Sequence, residues 1–167
     1  MTVPSCKQLV LSLVMSHLDY MNCLLFGVSE VSLERMQKIQ NMCVRTIYRL
    51  RKFDHVSNLM YNLHWLPIKF RVRYKIILTV FKCLHNSAPL YLREMLVVRP
   101  RGRYNTRSAA NSDLVVPRTH TKWGDRSFSC CGPRLWNGLP ATLKQIETVA
   151  AFKRALKTHL FYEAYET

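Results

Sequence analysis

Residues 67–85, PIKFRVRYKIILTVFKCLH, constrain the fold most. At the helical angle per residue, Phe70, Val72, Tyr74, Ile76, Ile77, Val80, Phe81, Cys83 and Leu84 cover roughly 200° of the circumference. Arg71, Lys75 and Lys82 share what is left. A helix that apolar cannot rest on a surface with one face in water. It must be buried against several partners. Its ends are marked as well. Pro67 suits a first helical turn, where its missing N–H is no loss. The residue before it resists helix, so HWLP (64–67) closes whatever precedes. NSAP (86–89) breaks the chain at the far end.

Other segments supply partners. Leu9, Leu13, Leu18 and Leu25 are spaced for a helix over 5–26, with Gly27 placed to end it. Ser29 can cap a second helix over 30–50. There Met36, Ile39, Cys43, Ile47 and Leu50 form a stripe about 80° wide, and Arg35, Lys38, Arg45 and Arg49 fill another arc of about 80° on a different side. Such bases sit in water by default, but no acid balances these four. Asp54 is placed to cap a short helix over 55–63, and a further one fits 89–97. Thr148 caps a last helix over 149–162, with Val149, Phe152, Leu156 and Leu160 on one face and Lys153, Arg154 and Lys157 on its flank.

Between residues 99 and 126 helical periodicity disappears. Seven bases stand there against two acids. RPRGRYNTR (99–107) reads as a flexible basic loop with Tyr104 available to stack on a base. LVVPR (114–118) reads as a short strand that Pro117 confines to an edge, and RSFSCC (126–131) as another. The expected fold is therefore mainly α: a bundle of about five to six helices, a basic irregular region with short β segments, and a C-terminal amphipathic helix. The organisation follows as a helical domain over 1–97, the basic region over 98–147 and the last helix over 148–167.

With 167 residues, 49% of them hydrophobic, the chain can bury a core as one domain or two small ones. Its 25 Lys and Arg against 10 Asp and Glu leave a net charge of +15. That favours a polyanionic partner, nucleic acid first and an anionic membrane surface second. No apolar run approaches the ~20 residues a bilayer crossing needs. The N-terminal run is followed at once by His17 and Asp19 and lacks a small-residue cleavage site, so an intracellular protein is expected.

The six cysteines form no C-x-x-C, which fits buried thiols better than zinc. Phosphate-binding glycine loops, a nucleophile elbow and a paired-aspartate site for magnesium are all missing from the sequence. His17 and Asp19 fall on different sides of a helix. His64 reads as structural beside Trp65. His120 has a suggestive basic setting but no nucleophile in view. No cofactor, no metal and no catalysis are expected.

GPRLWNGLP (132–140) reads as a rigid corner. Pro133 and Pro140 fix the backbone, Gly138 allows a turn closed to other residues, and Trp136 brings apolar area. The alternative puts Trp136 on a base and Arg134 on a phosphate.

The longer stretch GDRSFSCCGPRLWNGLP (124–140) resembles the C-terminal region of reverse transcriptases from animal non-LTR retrotransposons of the LINE type. The likeness continues through SHLDYMNCLLFGVSEVSLERMQKIQNMCVR (16–45), the H-W-L-P corner, the F-K-x-L-H…A-P-x-Y-L run and TVAAFKRALKTHLF (148–161), covering about residues 8–162. The family's polymerase aspartate pair and its endonuclease segment have no counterpart here. The resemblance implies a non-catalytic tail, thumb and beyond, that holds template RNA and/or target DNA during target-primed reverse transcription. Its partners would be nucleic acid and the polymerase domain of the parent protein, without a membrane. Candidate nucleic-acid contacts are Arg99, Arg101, Arg103, Tyr104, Arg107, Arg118, Lys122 and Arg126, with Arg35, Lys38, Arg45 and Arg49. Trp65, Pro67, Pro133, Trp136 and Pro140 are expected to be structural. The competing expectation is a domesticated or relic fragment that binds a host protein or has no function.

Overall fold

The computed structural model describes residues 2–99 and 113–166, and within them the chain is mainly helical. Its helices are α1 (Val3–Val10), α2 (Ser16–Asp19), α3 (Glu30–Tyr48), α4 (Ser57–Asn62), α5 (Ile68–Leu84), α6 (Leu90–Arg93), α7 (Lys122–Arg126), α8 (Phe128–Asn137), α9 (Ala141–Lys144) and α10 (Val149–Tyr165). A π-helical stretch, Leu11–Met15, joins α1 to α2, and a 3₁₀ turn covers Asn22–Leu25. The chain packs as two units, Met1–Val72 with Leu160–Thr167, and Arg73–His159. This division follows packing. It runs through α5 and α10, where neither charge nor periodicity changes.

In the first unit, Ser29 starts α3 by accepting the Ser32 N–H at 3.3 Å, which satisfies one of the orphan donors of the first turn. The helix ends on Arg49, whose φ is 54°. The Leu50 N–H reaches the Arg45 carbonyl at 2.9 Å and the Arg49 N–H reaches Thr46 at 3.4 Å, a Schellman end. His64 (φ 53°) closes α4 in the same way, through Trp65 N–H to Met60 O at 3.0 Å. The chain then enters α5 through Pro67, whose carbonyl accepts from Phe70 and Arg71, both at 3.0 Å.

The buried face of α3 is rotated from the expected stripe. Ile39 is exposed, while Gln40 is fully buried with Cys43, Val44 and Ile47. Hydrogen bonding explains the shift. Gln40 Nε2 donates to the Leu66 carbonyl at 3.0 Å, and Gln37 Oε1 accepts the Ile68 N–H at 2.9 Å. Two glutamines of α3 therefore complete the backbone of the HWLP turn and the start of α5. Trp65 is buried beside them and joins a cluster with Met15, Val44, Ile47, Met60 and Leu63. The Tyr165 hydroxyl, from the end of α10, donates to the Trp65 carbonyl at 2.6 Å.

Three local expectations fail in this unit. The first helix stops at Asp19, well before Gly27, because the Asp19 carboxylate is held by the guanidinium of Arg71 and by Asn22 Nδ2. Those contacts turn the chain through Met21, at φ 49°. Asp54 does not cap α4. Its carboxylate accepts the Arg51 N–H at 2.7 Å instead, and Val56 stands at the N-cap without a side-chain bond. Cys23 is exposed, although the other five thiols are buried.

In the second unit, α5 buries Ile76, Ile77, Val80 and Phe81 almost completely. The Phe81 ring stacks on Phe152 of α10 at 4.0 Å between centroids. Thr148 starts α10, accepting the Ala151 N–H at 3.4 Å. Helix α6 starts after Pro89, which sits in an extended conformation at its N-cap, and spans only Leu90–Arg93, shorter than the 89–97 expected.

RSFSCC is not a strand. Residues 128–131 form the first turn of α8, whose Pro133 lies inside the helix. Of LVVPR, only Leu114 pairs, in a single antiparallel bridge to Val98.

GPRLWNGLP is therefore half helix and half exit, and its turn glycine is ordinary. Gly138 has φ −73°, open to any residue. Gly132 is the position that needs glycine. A Cβ there would meet Val80 Cγ2 at 3.0 Å and the Phe128 ring at 3.4 Å, so its absence lets α8 approach α5. Pro133 and Trp136 are buried, and Pro140 is exposed at the N-cap of α9. The Trp136 ring lies 6.0 Å from Phe152 and 6.4 Å from Phe81. Asn137 holds the returning chain. Its Oδ1 accepts the Leu114 N–H and its Nδ2 donates to the Leu114 carbonyl, each at 2.9 Å. Lys144 adds a bond to Asp113 Oδ1 at 2.9 Å and one to the Asn137 carbonyl at 3.0 Å.

Candidate nucleic-acid interface

A basic groove is built in the first unit, and the second unit carries further bases. The groove lies along α3. Lys38, Met42, Arg45 and Arg49 follow one another at helical spacing and so share a face. The Schellman end brings Leu50, Lys52 and Phe53 back beside the last turn. Together with Thr46 these residues line a groove of about 630 Å³. Four of its lining residues are basic and none is acidic. Phe53 is 85% exposed, and Lys52 Nζ stands 5.6 Å from the centre of its ring. Met42 and Phe53 add exposed apolar surface to the basic lining.

The four α3 bases do not have equal roles. Lys38 and Arg49 are exposed and line the groove. Arg45 is half-buried and donates from Nε and Nη2 to the Asp54 carbonyl at 3.2 and 3.0 Å. It fastens the 50–54 turn to the helix, and two of its five N–H groups are spent there. Arg35 is exposed but outside the groove. Lys52 and Phe53 were absent from the candidates read in the sequence. LRKFDH holds them both, but an aromatic between two charges gives no sign of which way it faces.

The bases of the second unit begin at the Val98–Leu114 bridge. The Arg99 N–H donates to the Asp113 carbonyl at 2.9 Å, and Val115 N–H to Val97 at 2.8 Å. Arg99 is exposed at this junction. Arg101, Arg103, Tyr104 and Arg107 lie outside the described residues. Arg118 and Lys122 are exposed, and Arg126 is half-buried at the end of α7. The Arg126 guanidinium sits 4.8 Å over the ring of Trp123.

The nearby acid is occupied. Asp125 accepts from Thr119 Oγ1 at 2.5 Å and from Arg134 Nη2 at 2.6 Å. The Thr119 bond first, and then the Arg134 bond, hold its carboxyl below the usual aspartate range. Arg134 is thus drawn into an ion pair.

The chain matches no family model, no curated protein and no solved structure. Geometry alone therefore describes these surfaces. Among the described residues no cluster of three His, Cys, Asp or Glu side chains is placed to hold a metal ion. No described helix is long and apolar enough to cross a membrane. His120 is exposed.

Proposed function

We propose that this chain is a non-catalytic nucleic-acid-binding piece of a LINE-type reverse transcriptase, one that holds template RNA and/or target DNA while the parent enzyme copies one onto the other. The observation that carries the reading is the α3 groove, which gathers Lys38, Arg45, Arg49 and Lys52 with no acid among its lining. Like charges at such spacing repel one another and are relieved by a polyanion. Phosphate is the polyanion whose recognition depends on clustered Lys and Arg. The resemblance over residues 8–162 supports the same assignment, and with it an intracellular setting and the missing polymerase domain as partner.

The test is fluorescence anisotropy with labelled RNA and duplex DNA across a salt series. The expected result is a linear fall of log affinity with log salt. The double variant Lys38→Glu, Lys52→Glu should make that slope shallower by roughly 2. Absence of binding at low salt, from a chain shown to be folded by circular dichroism, removes the proposal. Binding indifferent to salt would assign the groove and its exposed Phe53 to a protein partner instead.

A further inference from the structure

We propose that Asp54 is a positioning residue of the α3 groove: it holds Lys52 and Phe53 at the corner of a β-turn, where they complete the surface offered to nucleic acid. The inference rests on the nucleic-acid reading above and assigns part of the affinity to a residue outside the groove lining.

The first support is the turn itself. The Asp54 N–H donates to the Arg51 carbonyl at 3.2 Å, the bond that closes a four-residue β-turn. Lys52 and Phe53 are its two central residues. Both line the groove, beyond the end of α3. Ordering such a corner costs conformational entropy, which its closing bonds must offset.

The second is that every polar group of Asp54 serves that corner. Its carboxylate accepts the Arg51 N–H at 2.7 Å and so closes the turn a second time. Its carbonyl accepts Nε and Nη2 of Arg45 at 3.2 and 3.0 Å, which ties the turn to the last turn of α3. Arg45 grips the returning chain with its backbone as well, since its own carbonyl accepts the Leu50 N–H at 2.9 Å.

The third is charge. Asp54 is the only acid between residues 35 and 93, and it is bonded to one groove base, Arg45, and close in sequence to another, Lys52. As a charge alone, a carboxylate there opposes a polyanion. As a hydrogen-bond acceptor, it favours binding by ordering Lys52 and Phe53 beforehand, so that less entropy is lost when the partner docks. The two roles predict opposite signs for its removal.

Anisotropy of the full chain with labelled RNA and duplex DNA at low salt reads that sign. Asp54→Asn removes the charge and keeps an oxygen for the Arg51 N–H. Its binding should match the native chain or tighten by up to about 5-fold. Asp54→Ala removes the same charge and the oxygen with it. Its binding should fall about 2- to 12-fold below that of Asp54→Asn, with a salt slope shallower by up to about 1. Circular dichroism melts check that both variants are folded at the assay temperature. The double variant Lys52→Ala, Phe53→Ala supplies a second background. There the corner has nothing left to present, so adding Asp54→Ala should no longer weaken binding.

If Asp54→Ala and Asp54→Asn bind alike, the positioning role is overturned while the nucleic-acid reading stands. The role is also overturned if Asp54→Ala weakens the double variant as much as it weakens the native chain, since its effect would then lie in α3 as a whole. If the native chain binds neither RNA nor duplex, both fall.

Discussion

Trp136→Ala should unfold the second unit at a much lower denaturant concentration. The side chain is 1% exposed and packs beside the stacked pair of Phe81 and Phe152. A tryptophan buries about 150–250 Å². At ~25 cal/mol per Å² that is roughly 4–6 kcal/mol, and truncations of this kind cost about 3–5 kcal/mol. We expect a loss near 4 kcal/mol. In a chain of this length each kcal/mol moves Tm by about 2–4 °C, so Tm should fall by roughly 8–16 °C. Guanidinium and thermal melts followed by circular dichroism read both numbers. Trp123→Ala is the control, with a change within about 0.5 kcal/mol. A double-mutant cycle with Phe152→Ala should show a coupling of about 0.5–1.5 kcal/mol. A loss under about 1 kcal/mol for Trp136→Ala would refute the assignment of GPRLWNGLP to the core. It would return Trp136 to the candidates for base stacking.

Arg49→Gly should act in opposite directions on folding and binding. Arginine at φ 54° carries a left-handed penalty of about 1–2 kcal/mol, partly offset by the extra chain entropy of glycine. Stability should rise by about 0.5–1 kcal/mol, while the salt slope of binding falls by about 1. Burial pushes the Tyr165 hydroxyl up from 10.0 to about 12. The folded state holds that proton more tightly than the unfolded chain does. The contribution is therefore complete below pH 10 and is lost as pH rises through about 12. Tyr165→Phe should flatten this loss in alkaline melts and cost about 1 kcal/mol near neutrality for the bond to Trp65. An unchanged alkaline profile would sink the assignment.

The long helices were legible because their signals are local. Ser29 and Thr148 bind the N–H three residues on, and Pro67 needs only its own ring to open α5. The wide apolar arc of residues 67–85 also announced its burial. What failed depended on contacts from far along the chain. Asp54 looked like a helix cap but serves Arg51. Gly27 looked like the end of the first helix, but Arg71, 52 residues from Asp19, ends it sooner. Gly138 looked special, yet the close approach to Val80 falls at Gly132. In the candidate interface, the spacing of Lys38, Arg45 and Arg49 placed them on one face. It did not show that Arg45 is committed to Asp54, nor that Phe53 and Trp123 face water.

Charge, helix periodicity and caps are properties of neighbours in sequence. They determined by themselves that this chain is helical, strongly basic and bounded where Ser29, Pro67 and Thr148 stand. Which polar groups are buried and which aromatics are exposed was decided only by the tertiary structure. Gln40 is inside because a carbonyl at Leu66 needs its amide. Trp136 is inside because Gly132 lets its helix come close, while Trp123 stands outside on a helix of five residues. Burial is a sum over distant partners, and no window of sequence contains that sum.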